Sequence, residues 1–375
     1  MKRILTLDGG GIRGVFTLQI LAKLEELFRK ERNDPTLVLG DVFDLIAGTS
    51  TGAIIAACLK WGLPVAEIDR LYEERAVEMF ARERWYRRWW KSKFRAESIA
   101  AFFRQMFREA DGSPAMFGSE RMRKYLLVVM RNASTGSPWP LCNNPGAKYM
   151  SRALADCNLN VPVWQLLRAS TAAPYFFPPE SIKLGAREFL FVDGGLTPYN
   201  NPSLIAVLTA TMPQYKLGWT ATTRDLHVIS VGTGAARATL PPKVAANINM
   251  LDQIKYLAPA MLASVGVDQD KLCRILGDFV NAADMESADG RKINGAGEID
   301  SEIGSLERPS LLAGAEQKFT YVRYDEPFIL SPEEAKKFLV GRTEMDNVKL
   351  KPFLRDAGRK YAEKHVCTEH LHPRR

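Results

Sequence analysis

The chain has 375 residues, 46% of them apolar and 25% charged, a composition that excludes a chain disordered throughout and supplies ample core. Clean apolar stretches such as Ala53–Leu59 fall short of the roughly 18 residues a membrane helix needs, and the apolar run after Lys2-Arg3 stops at Asp8 before any secretory core forms. Five scattered cysteines without a CxxC pair argue against a disulfide framework or a zinc site and fit a reducing cytosol. The net charge of +8 is concentrated: Arg82–Arg95 alone carries a net +6, so basicity is local.

In chain order, Arg3–Leu7 alternates into a short strand that stops at Asp8-Gly9-Gly10-Gly11. Ile20, Leu21, Leu24, Leu27 and Phe28 then mark one face of a helix, ended by Asn33-Asp34-Pro35. Val42–Ala47 reads as a buried strand, Gly48-Thr49-Ser50-Thr51-Gly52 as a turn, and Ala53–Lys60 as a helix closed by Gly62 and Pro64. Strand, glycine turn and helix thus occur twice in the first 62 residues, which predicts an α/β protein with a largely parallel sheet. Further on, Glu97–Ala110 is an amphipathic helix, Tyr125–Met130 a strand and Ser134–Gly146 a Gly/Pro/Ser/Asn-rich loop. Val163–Ser170 is helical. Glu188–Val192 and Leu226–Val231 are strands, running into Asp193-Gly194-Gly195 and Gly232-Thr233-Gly234. Asp284–Gly314 is a polar loop, and helices near Pro332–Val340 and Lys349–Lys364 close the chain.

Three segments carry chemistry. Gly48-Thr49-Ser50-Thr51-Gly52 fits G-x-S-x-G. A nucleophilic serine needs a sharp strand-to-helix turn to expose its hydroxyl, and the flanking Gly48 and Gly52 permit that turn. Asp8-Gly9-Gly10-Gly11-Ile12-Arg13-Gly14 presents backbone N–H groups at a helix start, where negative charge is favoured. That charge is the oxyanion of an acyl intermediate or a pyrophosphate, since Gly9, Gly11 and Gly14 also satisfy G-x-G-x-x-G. A dinucleotide-dependent oxidoreductase is therefore an alternative, with Asp41 the nearest ribose-binding acid, although it precedes its strand. A non-catalytic binding protein with purely structural glycine loops is another.

A serine nucleophile needs a base, and the chain has four histidines. His365, His370 and His372 lie in the C-terminal tail. His227 begins a strand, whereas sites in open α/β sheets lie at the strands' carboxyl ends, so it reads as structural. Asp193 follows a strand and is released by two glycines, the same strand-end logic as Ser50, and it is the natural base.

These segments, in this order, resemble the patatin-like phospholipase family. The resemblance also includes Ala169-Ser170-Thr171-Ala172-Ala173-Pro174, Phe177-Pro178-Pro179 and Asn200-Asn201-Pro202 and spans about residues 4–204. It implies a three-layer α/β/α fold with a mostly parallel central sheet. It also implies a catalytic core over 1–235 and a helical and loop extension over 236–375 packing on the same domain. It makes Ser50 the nucleophile and Asp193 the base of a dyad without histidine. The N–H groups of Gly9, Gly10 and Gly11 become the oxyanion hole, and Arg13 holds that loop or meets a lipid phosphate. No metal ligand set or cofactor is read, so hydrolysis of membrane phospholipid is expected to be calcium-independent.

Arg82–Arg95 interleaves Trp85, Trp89 and Trp90 with cations, a pattern suited to an anionic membrane interface, to stacking on a nucleotide, or to an ordinary packed helix. Size and the 50–80 region are similar to bacterial patatin-like effectors of antiphage defence, which implies a cyclic dinucleotide as activator rather than a nucleic-acid polymer as partner. The expected location is the cytoplasm, with peripheral attachment to the inner membrane when active. The oligomeric state stays open, self-association included.

Overall fold

The computed structural model describes residues 1–80, 88–174, 177–234, 265–280, 284–286, 292–294, 316–325 and 348–373, with side chains throughout except at 76–80, 88–96, 284–286 and 292–294. The strands are β1 (Lys2–Leu7), β2 (Leu45–Thr49), β3 (Tyr125–Asn132), β4 (Ser137–Cys142), β5 (Glu180–Leu184), β6 (Arg187–Asp193), β7 (Leu226–Val231), β8 (Asp278–Phe279), β9 (Asp284–Glu286), β10 (Lys292–Asn294) and β11 (Thr320–Tyr324). All but the small β9–β10 ribbon form one sheet, with neighbours in the order β5-β6-β3-β2-β1-β7-β11-β8 and β4 paired to β3. The centre of the sheet, from β3 to β8, is parallel; β4, β5 and β6 are antiparallel additions.

Side-chain alternation explains the layers, because successive strand residues face opposite sides. Leu5 and Leu7, Ile46, Leu126, Val128 and Met130, Ile229 and Val231, and Val322 and Tyr324 enter one core. The intervening Ile4, Leu45, Ala47, Leu127, Val129, Leu226, Val228 and Tyr321 enter a second. The first core is covered by α1 (Gly14–Arg32), α2 (Thr51–Lys60), α3 (Val65–Phe80), α4 (Arg88–Met106) and α5 (Val163–Ser170). The second is covered by α6 (Ser203–Thr211) and α7 (265–276). Helices on both faces of a mostly parallel sheet make a three-layer α/β/α fold.

Residues beyond 235 contribute to this body. Strand β11 pairs with β7 along its whole length. Helix α8 (Lys351–His365) lies along α1, where Tyr361 meets Phe16 at a ring distance of 5.6 Å. Lys351 and Arg355 at its start pair with Glu73 and Asp69 of α3.

Several expectations need correction. Residues 134–146 contain β4, although Pro138 and Pro140 argue for loop. Proline lacks a donor and is tolerated at an edge, and among the described residues β4 borders only β3. The strand placed at Val42–Ala47 begins at Leu45, after a one-turn helix over Leu39–Val42. Helix α4 starts at Arg88 and ends at Met106, not Ala110. Strands β5, β8 and β11 and helices α3, α6 and α7 lie where the sequence pattern predicts no element, and β9 and β10 fall in the stretch predicted as a polar loop. Residues 81–87, most of Asp284–Gly314 and the Pro332–Val340 helix lie outside the described residues, as do the side chains of Trp89, Trp90 and their basic neighbours.

Candidate active site

The site is built on one edge of β3. Strand β2 runs parallel to β3 and ends with Thr49 opposite Val129. Strand β6 runs antiparallel to β3 and ends with Asp193 opposite Met130. Strand β4 occupies the other edge over both stretches, so β2 and β6 share an edge and meet head to head. Two residues 143 positions apart in sequence are thereby delivered to adjacent places, and Ser50 Oγ donates a hydrogen bond of 2.8 Å to Asp193 Oδ2.

Ser50 sits in a sparsely populated backbone conformation, φ 52° and ψ −120°, which costs on the order of 1–3 kcal/mol and persists only when its surroundings enforce it. The surroundings are specific. A Cβ on Gly48 would overlap the Gly52 carbonyl, and a Cβ on Gly52 would overlap the Leu7 carbonyl, so both positions exclude any side chain. The Ser50 N–H donates to Ser170 Oγ at 2.9 Å, and Ser170 Oγ donates to the Val129 carbonyl at 2.7 Å. Thr49 Oγ1 donates to the Tyr199 carbonyl at 2.6 Å, and Thr51 Oγ1 lies 2.6 Å from the Tyr72 hydroxyl. Ser170 is the supporting residue that sequence reasoning missed. It lies within the Ala169–Pro174 segment, but only the fold shows that it braces the turn.

Asp193 is buried. Its Oδ1 accepts the Gly195 N–H at 2.7 Å. Burial raises the carboxyl to about 6, against the lowering effect of the Gly195 and Ser50 hydrogen bonds. A carboxylate near 6 is a better proton acceptor than one in water and is still largely ionised at neutral pH.

The glycine loop faces this pair. A Cβ on Gly9 would approach Ser50 Cβ to 3.3 Å. The Gly9 N–H itself donates to the Asn200 carbonyl at 3.2 Å. No acceptor for the Gly10 and Gly11 N–H groups occurs among the described residues. Gly10 packs so closely on Thr233 that a Cβ would collide with that side chain, and Arg13 Nε donates to Thr233 Oγ1 at 3.3 Å. Asp8, just before the glycines, forms a buried ion pair with Arg323 of β11.

The histidines lie elsewhere. His227 is fully buried between Arg3 and Thr320 at the amino end of β7. His365 lies against the Tyr361 ring, His370 contacts the Tyr324 hydroxyl and His372 pairs with Glu31. Asp41 pairs with Arg123, far from the carboxyl ends of the strands. Among the described residues no three His, Cys, Asp or Glu side chains are placed to hold a metal ion, and no helix is long and apolar enough to cross a membrane.

Fold and site together define a class: an open α/β protein with a serine on a strained strand-to-helix turn, hydrogen-bonded to a buried aspartate beside a loop of glycine amides. The patatin-like phospholipase model matches residues 5–207, more than half the chain, and the protein belongs to that family. It is 28% identical over 249 residues to a cGAMP-activated phospholipase of Escherichia coli, covering 64% of this chain and 65% of that protein. It is 30% identical over 264 residues to a cGAMP-activated phospholipase of Vibrio cholerae, covering 64% and 66%. It is 33% identical over 241 residues to the calcium-independent phospholipase A2-gamma of Oryctolagus cuniculus, covering 62% and 28%. The matched region is thus just under two thirds of either bacterial relative.

Proposed function

We propose that the protein hydrolyses acyl ester bonds of phospholipids with Ser50 as nucleophile and Asp193 as base. The observation that carries this reading is the 2.8 Å hydrogen bond from Ser50 Oγ to Asp193 on a turn held in a sparsely populated backbone conformation. Ser50 Oγ attacks the ester carbonyl carbon while Asp193 takes its proton. The tetrahedral oxyanion faces the Gly10 and Gly11 N–H groups, for which no acceptor occurs among the described residues, with Gly9 shaping the cradle. Collapse expels the lysophospholipid alkoxide, which regains the proton from Asp193, and leaves Ser50 acylated. Water then attacks the acyl-enzyme, Asp193 again accepting the proton, and the fatty acid leaves with Ser50 restored. Each oxyanion donor is worth about 3–4 kcal/mol. Arg13, tied to Thr233, holds the loop in place.

The reading extends to control. Two bacterial relatives are named as cGAMP-activated and a third as cUMP-AMP-activated. A cyclic dinucleotide is the activator this chain is proposed to answer to, in the setting of antiviral defence. The basic, tryptophan-rich segment Arg82–Arg95 is proposed to bring the enzyme from the cytoplasm onto an anionic inner membrane. The test is hydrolysis of vesicles of phosphatidylethanolamine and phosphatidylglycerol by wild type and Ser50→Ala, with and without a panel of cyclic dinucleotides, products identified by mass spectrometry. Fatty acid and lysolipid are expected from wild type alone, increasing with one nucleotide. Equal release by Ser50→Ala overturns the assignment, and release indifferent to every nucleotide overturns the control.

A further inference from the structure

The loop that cradles the oxyanion is fastened from a distant part of the chain. Arg323, on β11, is buried, and its guanidinium forms a two-pronged pair with Asp8: Nη1 to Oδ1 at 2.9 Å and Nη2 to Oδ2 at 2.6 Å. The same group donates to Ser230 Oγ at 2.7 Å and to Asp325 Oδ2 at 2.7 Å. Asp325 in turn accepts the Gly234 N–H through Oδ1 at 2.9 Å. Asp8 precedes the glycine loop, and Gly232–Gly234 is the loop against which it packs, through Thr233, Gly10 and Arg13. Thr17 of α1 adds a bond to the Gly232 carbonyl at 2.8 Å. One guanidinium therefore joins the carboxyl ends of β1, β7 and β11.

We propose that Arg323 is a positioning residue for the reaction assigned above, holding the Gly10–Gly11 amides in register with Ser50 and cancelling the negative charge of the buried Asp8 and the half-buried Asp325 behind the glycine loop. This rests on the hydrolase reading. Arginine suits the task, because its planar fork can serve two carboxylates and a hydroxyl at once, which a lysine ammonium cannot do with the same geometry. Burial alone would disfavour its charge, and the two carboxylates outweigh that, lifting its pKa well above the usual guanidinium value. Without the cation, the buried Asp8 carboxyl would lose its partner at the position next to the glycine loop, with the Asp325 carboxylate still nearby. The tetrahedral state, which is anionic, would suffer more than bound substrate does, so kcat falls and KM holds.

The test is hydrolysis of p-nitrophenyl butyrate by wild type, Ser50→Ala, Arg323→Gln, Arg323→Lys and the double variant Arg323→Gln/Asp8→Asn, each with a thermal unfolding curve. Arg323→Gln is expected to lose about 100-fold in kcat, the scale of a misplaced catalytic cradle, with KM within about twofold. Asp8→Asn in that background is expected to recover about tenfold, because it removes the buried carboxyl left without its partner. A mainly structural role predicts no such recovery and would overturn the proposal, as would an Arg323→Gln enzyme with wild-type kcat. If Arg323→Gln does not fold, Arg323→Lys decides: lowered kcat at constant KM supports positioning, and unchanged kcat overturns it. Ser50→Ala separates the two readings. Activity that survives it removes the hydrolase assignment and this inference together, whereas Ser50-dependent activity indifferent to position 323 removes this inference alone.

Discussion

At the carboxyl ends of the strands Asp193 is buried and raised to about 6; at the amino ends Lys60 is buried and lowered to about 7, and His227 is buried and lowered to about 3. In all three, burial is the main cause. Their surroundings differ. Lys60 Nζ donates to the carbonyls of Gly40 and Phe43 at 3.2 and 2.6 Å and pins the turn before β2. Among the described residues, His227 has no hydrogen-bond partner for either ring nitrogen, and it fills space. Asp193 faces a hydroxyl on a strained turn, beside amides with no acceptor among the described residues. A displaced pKa therefore marks burial, and a site needs in addition a reactive partner and a place for the charge that develops.

The comparison is broken most severely at the carboxyl end. Ser50→Ala and Asp193→Asn are each expected to lower phospholipid hydrolysis by about 10⁴-fold or more, read as fatty acid released from vesicles. The two variants should part company in stability. Asp193, with its folded pKa raised from 3.8 to about 6, contributes stability below about 3.8 that is lost as pH rises through about 6. Asp193→Asn escapes this loss and should be more stable than wild type at pH 7 by about 2–3 kcal/mol, visible as a higher melting temperature. Little change or a fall would show that ionised Asp193 is better stabilised than its burial indicates.

The next effect is on pH dependence. The proposed base, Asp193, must be ionised to act, so log kcat/KM should fall by about one unit per pH unit below about 6 and level off above it. A profile flat down to pH 4.5 would contradict a buried carboxylate base.

At the amino end, stability and not turnover should respond. Lys60→Met leaves the Gly40 and Phe43 carbonyls without their donor and should cost about 1–3 kcal/mol, with kcat per folded molecule unchanged. His227, depressed from 6.5 to about 3, contributes stability that is full above pH 6.5 and lost as pH falls toward 3, by up to about 1.4 kcal/mol per pH unit. His227→Leu should flatten that acid loss and leave hydrolysis intact. A large loss of activity in either variant would erase the distinction between the two ends.

How much of this was legible in the sequence follows the same division. Ser50 and Asp193 stood out because each ends a strand and is followed by a turn residue that punctuates the pattern: Gly52 after the serine, Gly194 and Gly195 after the aspartate. The two strand–glycine–helix units of the first 62 residues are local and can be read from periodicity. The head-to-head meeting of β2 and β6 is a matter of pairing register across 143 positions, which no local pattern encodes. Ser170 was visible as a residue and invisible as a brace, since its bonds run to Ser50 and Val129. Arg323 sits in a five-residue strand with nothing on either side to mark it, and its partner Asp8 is 315 positions away. Strand β4 was masked by its prolines, which an edge tolerates.

The most direct measurement is active-site labelling. A fluorophosphonate probe, followed by peptide mapping, is expected to modify Ser50 in the wild type, to leave Ser50→Ala unlabelled, and to react far more slowly with Asp193→Asn. Labelling of another residue, or of Ser50 at the same rate without Asp193, would contradict a serine activated by the carboxylate 2.8 Å away.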